Sequence, residues 1–181
     1  MKTSIFTEGS GTTTVDPNSP KAKDYFAGVF KPVKTLENRL SEYSETELHI
    51  LSDELGYLRG ETPIESIRDG RNHTVRGEEQ FRGAILSAAS ESDVIVVLLS
   101  SNIFRDTIGE IWEELVENAR GDSIWFYGAA ATALDSVDIA QLESRVEDVV
   151  VYQRVGVAPI GKEAQEELLR VVEQRQTMEG C

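Results

Sequence analysis

Cysteine is nearly missing from this chain: the only one is Cys181, the last residue, so no internal disulfide is possible, and a frayed end is a poor place for a nucleophile. Histidine is almost as scarce. With only His49 and His73, and no cysteine pair, a structural zinc site has no ligands to use, while an all-carboxylate magnesium site stays open. No apolar run approaches the length that spans a bilayer, and the opening MKTSIFTEGSGTTT has neither the apolar core nor the cleavage pattern of a signal peptide. A cytoplasmic protein with no membrane segment is expected. Lysine is the other shortage, with six Lys among 18 basic residues, against 32 acidic residues and a formal charge of -14. That balance provides no broad electrostatic footprint for nucleic acid or an anionic membrane, so neither is an expected partner. Acid-rich, Lys-poor composition fits a halophilic protein in a high-salt cytoplasm, where screening mutes repulsion; an ordinary acidic surface fits it as well.

What is present begins with 181 residues and 40% apolar content, enough for one well-buried core, and a single domain over residues 1-181 is expected. The chain is organised around Ser92 to Gly128. Val94 to Leu99 is an unbroken apolar run, the pattern of a strand covered on both faces. Phe104, Ile108, Ile111, Trp112, Leu115 and Ala119 then recur at three and four residues, which predicts one apolar helix face, with Gly121 as the stop. Ile124 to Tyr127 supplies the next strand.

On the N-terminal side, Thr3 to Thr7 reads as a strand running into Glu8-Gly-Ser-Gly-Thr-Thr-Thr14. Its backbone N-H groups and hydroxyls suit an anion or a ribose, but the loop has neither the Lys of a P-loop nor the GxGxxG spacing, and plain loop chemistry fits it too. Lys21 to Tyr43 reads as mostly helical, interrupted or restarted at Pro32. Glu45 to Leu51 is a second strand that leaves through Ser52 to Tyr57, either an active-edge loop or an ordinary exit. An irregular, Arg-containing insertion at about 59-77 follows, with Arg59, Arg68, Arg71, Arg76 and His73 beside Glu61, Glu65 and Asp69. Its arginines suit a phosphate or carboxylate, and its acids offer them local partners. Glu78 to Ser90, a segment around Val137 to Arg145, and Lys162 to about Gln174 read as helices, and Val149 to Tyr152 as the last strand. The alternation predicts an α/β, Rossmann-like three-layer fold with a mainly parallel sheet of about five strands.

Two stretches resemble known families. Tyr25 through Gly28 and Phe30, with His-Ile-Leu-Ser52 and then Gly56-Tyr57-Leu58, look like the YaaA-related group of small α/β proteins, whose members carry a Tyr-x-Gly-x-Phe helix and a strand ending Leu-Ser before Gly-Leu. Ser92 to Leu99, followed by Asp106, Gly109 and Glu113, resembles the strand, Asp-Gly turn and Gly-x-x-x-Glu helix of nucleoside 2-deoxyribosyltransferases. That resemblance implies Glu113 as the nucleophile at the sugar's anomeric carbon and Asp106 as its neighbour on the sugar. Read without the resemblance, Glu110, Glu113, Glu114 and Glu117 form a solvated helix face.

These readings converge on the C-terminal rim of the sheet as the ligand site. Thr7, Glu8, Gly9, Ser10, Ser52, Gly56, Ser100, Asn102 and Gly128 would supply polar and backbone contacts, with Arg71 or Arg76 meeting an anionic group. The expected ligand is a nucleotide, nucleoside or related small metabolite, and no motif specifies a cofactor. A glycosidic-bond enzyme using Glu113 and Asp106 is the second possibility. A non-catalytic interaction protein is the third, for which Trp112, Trp125 or Phe126 would remain exposed. His49, inside a strand, reads as a packed residue and His73 as the freer one.

Overall fold

A computed structural model describes residues 1-13, 21-63, 74-153 and 160-179; at 74-76, 153 and 179 only the backbone is described. The strands are β1 (Lys2–Glu8), β2 (Glu45–Ser52), β3 (Gly56–Arg59), β4 (Val94–Leu98), β5 (Ile124–Ala129) and β6 (Asp148–Gln153). They form one six-stranded sheet in the order β3-β2-β1-β4-β5-β6. Every pairing is parallel except β2 with β3, where His49 faces Arg59 and Ser52 faces Gly56. The expected count of about five strands is therefore short by one. Ser52 to Tyr57 is not an open loop, because Gly56 has φ +74, a value that favours glycine, and the turn folds the chain back as an antiparallel edge.

Side chains alternate along the strands and build an apolar cluster on each face of the sheet. Phe6, Ile95, Val97, Trp125 and Tyr127 belong to one cluster, joined by Phe81, Ile85, Phe104, Leu115 and Leu142 from helices. Ile5, Ile50, Val96, Leu98 and Phe126 belong to the other, joined by Phe30, Val33, Leu36, Leu168 and Val172. An uninterrupted Val94–Leu98 run is thus divided residue by residue between two faces, and all five residues are buried.

The helices are α1 (Ala22–Tyr25), α2 (Lys31–Leu40), α3 (Thr74–Glu91), α4 (Ser101–Thr107), α5 (Trp112–Asn118), α6 (Ala131–Leu134), α7 (Ile139–Glu143) and α8 (Lys162–Glu179) among the described residues. Pro32 lies in the first turn of α2, where a missing N-H costs nothing, so it restarts the helix. The expected helix from Phe104 to Ala119 is instead two helices with a 3-10 turn, Gly109–Ile111, between them. Thr107 contributes to the break by donating its hydroxyl to the Ile103 carbonyl at 2.5 Å. The segment around Val137 to Arg145 shortens to α7, capped by the Asp138 carboxylate accepting the Ala140 N-H at 3.1 Å. Thr74 already lies in α3 and Arg59 in β3, so the expected insertion is narrower than 59-77.

Buried charge is paired. Glu37 on α2, 5% exposed, accepts from Lys23 of α1 at 3.0 Å. Burial pulls the Lys23 ammonium down, but Glu61 and Glu37 outweigh it and hold its pKa above the ordinary value. Among the described residues no helix is long and apolar enough to cross a membrane.

Candidate functional site

Counting only the parallel strands, the order is 2-1-3-4-5, so the connections leave β1 and β4 in opposite directions. In an open α/β sheet the crevice at such a switch point, outside the C-terminal strand ends, is the usual ligand position. Glu8 ends β1 there, and Ser100 follows β4. Across 92 residues of chain, one Glu8 carboxylate oxygen accepts the Ser100 N-H at 2.5 Å and the other accepts its hydroxyl at 2.7 Å. Ser100 is the N-cap of α4, so the place where a helix start would receive an anion already holds a carboxylate.

The other expected rim residues are distributed around this bridge. Gly9 donates its N-H to the Leu51 carbonyl at 2.9 Å, and a Cβ on it would meet the Phe26 ring at 2.6 Å; glycine is needed there for close approach. Ser10 donates its hydroxyl toward the Ala27 carbonyl at 2.7 Å and the Thr12 carbonyl at 2.6 Å, tying the loop to the chain before α2. Thr7 is buried, and Ser52 is 8% exposed and accepts the Leu55 N-H at 3.3 Å within the turn. Asn102 is exposed and accepts from Arg105 of its own helix at 2.6 Å. Gly128 is no strand exit: it is buried inside β5, opposite Tyr152. Arg71 lies outside the described residues, as does the side chain of Arg76. Thr132 reaches the rim, with its hydroxyl 3.3 Å from that of Ser101.

Asp106 and Glu113 lie elsewhere. Asp106 is exposed on α4, and its carbonyl accepts from Arg82 at 2.6 Å. Glu113 is exposed on α5 and lines a groove of about 900 Å³ with Glu110, Glu114, Glu117, Asp135 and Asp138, which Asp106 does not reach. Beneath it Trp112 donates its indole N-H to Gln141 at 3.1 Å. Trp112, Trp125 and Phe126 are all buried, at 6%, 0% and 1% exposure, so these three side chains form no exposed apolar patch.

A second polar pocket, of about 360 Å³, lies between the β2–β3 edge and α3. His49 forms part of its wall and is 4% exposed, as the packed reading requires. Its ring stacks on Phe6 at 4.5 Å between centroids, and its Nδ1 is 2.7 Å from the Tyr57 hydroxyl. Burial pushes the His49 pKa down to about 4, against the opposing pull of Glu47, so the imidazole is neutral at pH 7. Burial also raises the Tyr57 phenol. Glu47 meets Arg59 and stands 3.5 Å from the Lys2 ammonium; burial opposes ionisation, but these cations hold its carboxyl below the ordinary value. Among the described residues no group of three or more His, Cys, Asp or Glu is placed to hold a metal ion.

The fold and the rim define an α/β protein with a mostly parallel sheet and a carboxylate bridge at its switch point. The chain matches no protein-family model and no curated protein sequence.

Proposed function

We propose that this chain is a Rossmann-like three-layer domain that binds a nucleoside, or a related small metabolite rich in hydroxyl groups, at the C-terminal rim of its sheet. The observation that carries this reading is the Glu8 carboxylate held on Ser100 at the switch point. An ionised carboxylate accepts and never donates, so the ligand groups that match Glu8 are hydroxyl donors, such as the diol of a sugar. The same charge repels a phosphate, and the overall formal charge of -14 adds to the repulsion. Nucleosides are therefore favoured over nucleotides. Gly9 and the Ser101–Thr132 hydroxyl pair supply neutral surroundings for the rest of such a ligand.

A thermal-shift screen against nucleosides, nucleotides and nucleobases, at low and high salt, tests the reading. A nucleoside at a hundred times its dissociation constant adds about 2.7 kcal/mol of stability, a readable melting shift. The reading requires that this shift fall by about half or more in Glu8→Gln and with the phosphorylated counterpart at low salt, since a tenfold loss of affinity leaves about 1.4 kcal/mol.

A further inference from the structure

The pocket between the β2–β3 edge and α3 has in its wall a buried ring nitrogen that no described residue satisfies. His49 Nε2 has no hydrogen-bond partner among the described residues. Glu47 Oε2 is 3.7 Å away, too far for a hydrogen bond. The Tyr57 hydroxyl lies 2.7 Å from His49 Nδ1 and can donate to it or accept from it; in the donating arrangement the ring proton sits on Nε2. A buried N-H that faces a polar pocket and lacks an acceptor is rare in native proteins and calls for one.

The walls around that N-H carry both signs of charge. Lys2 and Arg59 contribute cations, and Glu47 and Glu91 contribute anions. Lys2 bridges Glu91 at 3.2 Å and Glu47 at 3.5 Å, while Arg59 meets Glu47. These ion pairs are partly solvated, with Glu91 and Arg59 more than half exposed, so each contributes little and is easily exchanged for a ligand's charges.

We propose that this pocket is a second binding site, distinct from the rim, for a small zwitterion of the α-amino acid class. The ligand carboxylate accepts the His49 Nε2–H together with a bond from Lys2 or Arg59, and its ammonium lies against Glu47 and Glu91. Equal numbers of cations and anions exclude polyphosphates and favour a ligand that is itself neutral overall. A volume of about 360 Å³ suits a molecule of amino-acid size. Its charged groups lie where β1 begins and α3 ends, His49 pairs with Phe6 partway along β1, and none of its lining residues belongs to the rim.

The test uses the full chain and the twenty common amino acids as probes, with inorganic phosphate as the contrast, read by thermal shift and then by titration calorimetry. His49→Phe keeps a ring against Phe6 and removes the donor; Tyr57→Phe keeps the Nε2 nitrogen. At least one amino acid binds the wild type, its affinity falls at least tenfold in His49→Phe, and phosphate produces no shift. In ¹⁵N-edited spectra of the wild type, that amino acid moves the His49 imidazole Nε2 signal while leaving Glu8→Gln protein equally responsive. No binding by any of the twenty, or equal binding by wild type and a folded His49→Phe, overturns the proposal. If His49→Phe fails to fold, an unmoved His49 Nε2 signal at saturating amino acid overturns it in the wild type.

Discussion

Acidification tests whether His49 is held neutral by the core around it. An unperturbed imidazole titrates near 6.5, and this one is pushed down to about 4 by burial against Phe6 and α3. Between those values the unfolded chain binds a proton at this residue and the folded chain does not. Stability contributed by the neutral ring is thus fully present above pH 6.5 and is lost as pH falls through the window to about 4. At 1.36 kcal/mol for each pH unit separating the two values, the whole window corresponds to roughly 3 kcal/mol. About 2 kcal/mol of it is lost between pH 7 and pH 5. Carboxyls held low by their partners, among them Glu47 and Glu61, act with the same sign but lower, below about pH 4.5. The window from pH 7 to 5 therefore isolates the imidazole. Urea unfolding at half-unit steps, in wild type and His49→Phe, measures the difference directly, since m stays constant while the midpoint moves. The wild type should lose about 2 kcal/mol more than the variant over that range. Parallel pH profiles would show that His49 protonates freely in the folded state and would refute the reasoning.

Three other perturbations have defined outcomes. Lys23→Met leaves the Glu37 carboxylate buried without its closest cation and should cost about 3 kcal/mol in urea unfolding, most of it recovered in the double variant Lys23→Met, Glu37→Met. Gly77→Ala drives a Cβ to 2.8 Å from the Gly56 Cα and 3.0 Å from the Tyr57 nitrogen, both backbone atoms that cannot move aside cheaply, and a loss of about 2 kcal/mol is expected in the same assay. Glu113→Ala, on an exposed helix face, should leave both the melting temperature and nucleoside binding unchanged; loss of binding or of nucleoside turnover in a folded variant would restore Glu113 as a site residue.

The parallel core was legible because its signals are local. Val94 to Leu98 is apolar at every position, a run that fits a strand covered on both faces, so a buried strand was expected there. The edge strand β3 was not legible. Its four residues, Gly56 to Arg59, are too short for any period, and the preceding Ser-Asp-Glu-Leu reads as an exit until Gly56 turns the chain back. The break between α4 and α5 was hidden for a related reason: the apolar spacing from Phe104 to Ala119 continues through it, since both helices present apolar residues to the same cluster. At the site, the rim loops were recognised by their Gly, Ser and Thr content, but the Glu8–Ser100 bridge joins residues 92 apart and has no local signature. Likewise, the burial of His49 followed from its strand, whereas the Tyr57 hydroxyl on its Nδ1 comes from across the β2–β3 turn and its orphaned Nε2 has no local signature.

The most direct test of the nucleoside reading is titration calorimetry of the wild type and Glu8→Gln with a panel of nucleosides and their 5′-monophosphates at low salt. The account predicts at least one nucleoside that binds, a monophosphate that binds at least tenfold more weakly, and a further tenfold loss for the nucleoside in Glu8→Gln, about 1.4 kcal/mol. A monophosphate that binds more tightly than its nucleoside, or a nucleoside indifferent to Glu8→Gln, would contradict it, as would a panel with no binder.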